Sequence, residues 1–216
     1  MDSITLENFI NYCDEMQIAE EGFREGSGVI DKIINTLQLG LEWIKRAILK
    51  LKEKTSKGKY IEIPKIVHAD LTNMEREIMK FHNNDASKLD DKNMENIKAD
   101  VEKHLKLAKE HKNDNGPKSA IPISELYQNM QVESKNISGG IKYAESLKKR
   151  RDSNNYTEYI HRLSNEVDLM HLYTKINKFY LECPVISNKH VGPENPDTQV
   201  VTQEERDSSK KNSNWN

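Results

Sequence analysis

Seven histidines, at positions 68, 82, 104, 111, 161, 171 and 190, are the side chains best suited to hold a metal or carry a proton. Their spacing favours neither. His104 and His111 are two helical turns apart, roughly 10 Å along a helix, which is too far to share one zinc without another element. HExxH and CxxC are both absent, so the histidines are read as packing or solvated groups and no metal or cofactor is expected. A GxSxG elbow, a Walker loop and a GxGxxG turn are missing as well. Asp90, Asp91, Glu102 and Glu110 sit among lysines, which is the composition of a solvated helix face. Cys13 and Cys183 are far apart and make no disulfide framework. They are read as buried or idle thiols, and the chain as non-enzymatic.

Charge patterning is more informative. "KRAILKLKEKTSKGK" holds Lys45, Arg46, Lys50, Lys52, Lys54, Lys57 and Lys59 against the single acid Glu53. Such a patch can hold phosphates electrostatically without reading sequence. No aromatic residue interleaves with these cations, so base stacking is not expected. A solvated helix end is the plainer account of the same residues. Non-specific nucleic acid and a membrane surface are the two anionic partners that the pattern allows, because an apolar face, a Trp and a basic end together also describe an interfacial helix.

These residues need elements to carry them. The chain has 216 residues, 35% apolar and 31% charged, with only 9 Gly and 6 Pro. This balance favours long helices. Ile30, Ile33, Ile34, Leu37, Leu41, Ile44, Ile48 and Leu51 recur at 3–4 spacing and predict one helix over about 29–54 with a core-facing stripe. Leu39 and Trp43 fall off that stripe and are expected to face outward, toward a membrane or a partner helix. Further helices are expected over 70–82, about 87–112, from Glu125 with Ser124 as cap, and about 156–181 before Pro184. Gly139-Gly140 is expected to kink or divide the helix that starts at Glu125. "YIEI" is extended and could pair weakly; residues 112–122 read as a linker. The fold class is all-α: an irregular bundle of five or six helices with a long amphipathic second helix and a disordered C-terminal tail. The divisions are 1–21 (acidic leader helix), 22–28 (glycine-rich break), 29–59 (amphipathic helix with basic end), 60–186 (helical body) and 187–216 (tail, too poor in apolar residues to fold). No apolar run reaches the roughly 18 residues of a membrane span, and the first twenty residues lack the basic n-region of a secretory signal. The expected location is a virion interior or a host cytoplasm.

The N-terminal stretch "QIAEEGF" resembles the end of the capsid-targeting leader of T-even-type phage internal head proteins. In that family a prohead protease cuts after Glu in an Ile/Leu-x-Glu triplet. Ile18-Ala19-Glu20 matches, and the following glycine break and "GVIDKIINTLQLGLEWIKRAILKLKEK" look like internal virion proteins of large tailed phages. Leu51-Lys52-Glu53 and Ile123-Ser124-Glu125 fit the same triplet. The resemblance covers about the first 55 residues and implies capsid or prohead proteins and a prohead protease as partners. Residues 1–20 carry Asp2, Glu7, Asp14, Glu15 and Glu20 and no Lys or Arg. Those five acids are the difference between a formal −2 for the whole chain and +3 for the remainder. Losing them inside a particle would favour phosphate contact. The runner-up is a cytoplasmic helical adaptor that binds a membrane surface or partner helix through residues 29–54. A small regulatory or inhibitor protein is a third reading.

Overall fold

The structure, a computed structural model, describes residues 28–84, 86–148 and 156–187. The expected leader, most of the glycine break, Cys13, the Ile18-Ala19-Glu20 triplet, His190 and the tail after Ser187 lie outside the described residues. Within them the chain is an all-α bundle of five helices: α1 (Val29–Thr55), α2 (Lys65–Asn84), α3 (Asp91–Glu110), α4 (Ile123–Lys148) and α5 (Tyr156–Glu182). A 3-10 turn, Ala86–Lys88, joins α2 to α3 where "HNNDAS" breaks the helical pattern. Asp90 caps α3, its carboxylate accepting from the Asn93 N–H at 2.7 Å, which satisfies one of the orphan donors of that first turn.

α5 is the centre of the molecule. It touches each of the other four helices and the turn, and it is buried nearly all round, polar residues included. α1 lies chiefly against α4 and secondarily against α5. It runs antiparallel to α4, with Asp31 paired to Lys148 at one end and Lys52 over the Tyr127 ring at the other. Gly139 and Gly140 neither kink nor divide α4, which is continuous. Gly140 lies where an added Cβ would strike the Glu166 carboxylate of α5, so its small size serves helix approach.

Two stretches that look like connections are strands. β1 (Tyr60–Pro64) is the middle of a three-stranded antiparallel sheet, with β2 (Lys118–Pro122) on one side and β3 (Val185–Ile186) on the other. The reading of 112–122 as a linker is therefore corrected: its second half pairs Tyr60 with Pro122 through Pro64 with Lys118. Ile61 and Ile63 are fully buried while Tyr60 and Glu62 are half-buried, the period-two burial of a strand on a helical layer. Pro64 and Pro122 end their strands, where the missing N–H is least disruptive. A helix starts at the next residue in each case, so α4 begins at Ile123, ahead of the expected Ser124 cap.

The outward assignment of Leu39 and Trp43 is also corrected. Trp43 is 3% exposed and belongs to the core; Leu39 is half-buried and packs against it. The buried arc of α1 is rotated toward Thr36, Gly40, Trp43 and Ala47, and Leu41 and Ile48 fall at its half-buried edge. Small residues cause the rotation. An added Cβ on Gly40 would collide with the Met170 sulfur of α5, so the bare backbone is what brings α5 close and encloses the neighbouring indole. Reading the stripe by large apolar residues alone misses a face built partly from Gly, Ala and Thr.

Truncation of Trp43 to Ala is accordingly expected to destabilise the bundle by about 3–5 kcal/mol, read as a lower urea midpoint. The indole N–H has no acceptor among the described residues, so Trp43→Phe should keep most of that stability. A Trp43→Ala midpoint equal to wild type would return the residue to the surface.

Candidate functional site

The basic segment predicted from the sequence ends at the sheet. Lys45, Arg46, Lys50, Lys52, Lys57 and Lys59 are exposed. Arg46 pairs with Glu42 at 4.0 Å, both side chains more than half exposed, a contact worth little in water. The Lys52 ammonium stands 5.6 Å from the Tyr127 ring centroid. Lys54 differs: it is half-buried and donates to the Cys183 carbonyl at 3.2 Å. Burial lowers its pKa, and the nearby charges of Lys57 and Lys112 add to the lowering.

That proximity to Lys112 depends on the sheet. β3 follows α5 and pairs with β1, which follows α1, so Cys183 arrives beside Lys54. β2 pairs on the other side and brings the end of α3 with it. Lys118 donates to the carbonyls of His111 at 3.2 Å and Lys112 at 2.9 Å. Lys112 in turn pairs with Glu182 at 3.7 Å. Cations separated by more than fifty residues in sequence thus share one end of the bundle. The seven cations over residues 45–59 were visible in sequence; the contributions of Lys112 and Lys118 were not, because they depend on strand pairing.

A second polar feature lies inside. Glu75 of α2 is 2% exposed, and the Asn177 side chain of α5 donates to it at 3.3 Å. Two helical turns further along α2, His82 faces Glu133 of α4 through Nδ1 and the Glu166 carbonyl of α5 through Nε2 at 3.0 Å. Asn136 donates to the other Glu133 oxygen at 3.1 Å. Both Glu133 and His82 are closed off by the surrounding helices, so no substrate reaches the pair. Paired and hydrogen-bonded this way, the charges meet the condition for burial, and they fix the register of three helices.

Sequence reasoning passed over these residues, yet a signal existed. Val67, Leu71, Glu75, Ile78 and His82 follow 3–4 spacing on α2, as do Leu126, Met130, Glu133 and Ile137 on α4. A charged residue occupying a slot in an apolar stripe is a buried charge unless the stripe is broken.

The remaining candidate groups have local partners. His104 lies 3.3 Å from Asp70, His111 2.7 Å from Asp114 and His161 2.9 Å from Asp91. Among the described residues no three His, Cys, Asp or Glu side chains are placed to hold a metal. Burial pushes the Cys183 thiol up to about 11, far from the thiolate that nucleophilic chemistry needs. No described helix is long and apolar enough to cross a membrane. Leu51 and Ile123, which begin the two other Ile/Leu-x-Glu triplets, are buried inside α1 and α4. Family models, curated proteins and solved structures offer no match to this chain.

The interior carboxyl makes stability depend on pH. Burial raises Glu75 from 4.5 to about 7; the hydrogen bonds of Asn177 and Asn129 oppose the rise, and the charge of Glu125 adds to it. For His82, burial disfavours the charged form, but the charge and hydrogen bond of Glu133 and the Glu166 carbonyl outweigh it and leave the pKa above the ordinary value. Both folded-state values lie above the unfolded ones. Their contributions are therefore complete at acid pH and are lost as pH climbs through the folded values. For Glu75 the full contribution is about 3 kcal/mol, about 2 of it lost between roughly pH 5.5 and 8. Urea unfolding at those two pH values should show the wild type losing stability and Glu75→Gln losing markedly less. Equal losses in the two proteins would show that Glu75 is not the group responsible.

Proposed function

We propose that this chain is a non-enzymatic virion protein of a large tailed phage, carried inside the head and held against packaged nucleic acid by the basic end of its bundle. The observation that carries this reading is the gathering of Lys57, Lys59, Lys112 and Lys118, from three separate parts of the chain, around the α1 terminus. Phosphate contact needs only positive charge at a surface, with no base-reading groups. The N-terminal triplet supports the particle as the setting. Cutting after Glu20 falls before α1 in sequence and leaves the five helices intact, whereas cutting after Glu53 or Glu125 would sever α1 or α4. Capsid or prohead proteins and a prohead protease are the partners of this reading. An adaptor acting through α1 would have to use Leu49, 58% exposed, since Leu39 and Trp43 are packed into the body.

Mass spectrometry of purified particles is expected to find the chain beginning at Glu21. The recombinant body should bind duplex DNA of any sequence, with log affinity falling against log salt at about −0.9 per phosphate contacted. A chain starting at Met1 in mature particles removes the leader from the proposal, and no DNA binding at low salt removes the nucleic-acid role.

A further inference from the structure

α3 and α5 run parallel, and their seam is crossed by four acid–base side-chain pairs whose sense alternates. His161 meets Asp91 at 2.9 Å, Asp168 meets Lys98 at 2.9 Å, Lys175 meets Glu102 at 3.6 Å and Glu182 meets Lys112 at 3.7 Å. On α5 these four residues recur every seventh position, the repeat that keeps one face of a helix on its neighbour. Between the third and fourth pairs the seam opens into a cleft of about 490 Å³. Leu105 and Phe179 form its floor, and Lys106, Lys109 and Lys178 stand on its two lips. Among the described residues none of these three lysines has an ion-pair partner. Glu110 also lines the cleft and offsets one of the three charges; Glu102 and Glu182 are already paired across the seam.

We infer that this cleft is a second phosphate-contacting surface, in which Lys106 and Lys109 of α3 and Lys178 of α5 straddle a stretch of nucleic-acid backbone. The inference rests on the nucleic-acid role proposed above and adds a place to it. The cleft is continuous with the basic end of α1: Glu182 on its rim holds Lys112, whose charge reaches Lys54. A backbone lying along Lys57 and Lys59 is led past Lys112 into the cleft. Like charges facing one another across a gap repel in the free protein, and an intervening phosphate turns that repulsion into attraction at both lips. The long aliphatic stems let the ammonium groups adjust to phosphate spacing without moving either helix.

The test compares two triple variants of the same net charge. One carries Lys106→Gln, Lys109→Gln and Lys178→Gln; the control carries Lys92→Gln, Lys135→Gln and Lys142→Gln, all exposed and away from the cleft. Circular dichroism and melting establish that both fold. Duplex DNA binding is then measured across a salt series. The cleft variant is expected to lose about 10–100-fold in affinity at low salt, with its salt slope shallower by about 2–3, one for each lysine contact removed; the control keeps the wild-type slope. An unchanged slope in the cleft variant, or an equal change in the control, overturns the cleft while leaving the basic end of α1 in place. Wild-type protein that binds no DNA overturns both. Inorganic tripolyphosphate is the second probe: if the cleft variant loses its binding while DNA affinity is untouched, the site serves small phosphates and the backbone assignment falls.

Discussion

Enclosing α5 is the constraint on which the rest of the structure depends. A helix of twenty-seven residues is surrounded by the other four, and it carries Asn165, Glu166, Asp168, Thr174 and Asn177 into the interior along with its apolar residues. Each polar group there needs a partner, since an unmet one costs about 1–3 kcal/mol. Glu166 meets Arg162 and Thr174 donates to the Met170 carbonyl within α5 itself; the surrounding elements partner the others. Asn165 donates to the carbonyls of Ala86 and Leu89 and so anchors the 3-10 turn. Asp168 takes Lys98 of α3, and Asn177 meets Glu75 of α2. A slip of α5 by one residue would break all of these contacts between elements together, so the polar set specifies one packing among the many that apolar contact alone permits.

The same enclosure sorts the charges. Glu75 and Glu133 are taken inside, the first as an acid whose pKa burial raises to about 7 and the second against His82. Most lysines remain outside. Interior acids are hidden from a large polyanion by the helices around them, so the surface it meets is more basic than a formal −2 for the chain suggests. Where the sheet draws the ends of α1, α3 and α5 together, that surface positivity concentrates. The proposed role at packaged nucleic acid draws on this sorting and not on any group that could perform a reaction.

The sheet is small, with strands of five, five and two residues, and its importance lies in where it sits. β1 joins α1 to α2, β2 joins α3 to α4, and β3 follows α5, so three connections are tied at one end of the bundle. Lys54 bonded to the Cys183 carbonyl and Lys118 bonded to the carbonyls closing α3 reinforce that knot. Basic side chains serve here as struts as well as surface charge. Gly58 shows how tight the turn is, since an added Cβ would run into the Ile186 backbone.

By itself the sequence determined what depends on neighbours along the chain. The 3–4 apolar spacing located α1 and α5 to within about a residue, the "HNNDAS" break separated α2 from α3, and the cluster of Lys and Arg over 45–59 was plain. These are local properties, since helix hydrogen bonds close within four residues and a run of like charge needs no partner. Only the tertiary structure decided the rest. β2 was read as linker because strand pairing joins residues about sixty apart and has no local trace in a five-residue segment. Trp43 was placed outside because hydrophobicity marks large side chains, whereas α1 turns toward α5 through the absence of one at Gly40. Glu75 and His82 stood in an apolar stripe, and their partners Asn177 and Glu133 lie on helices that only folding brings alongside. The convergence of Lys112 and Lys118 on the α1 terminus belongs to the same class: it follows from which strands pair, and pairing is decided by the whole chain at once.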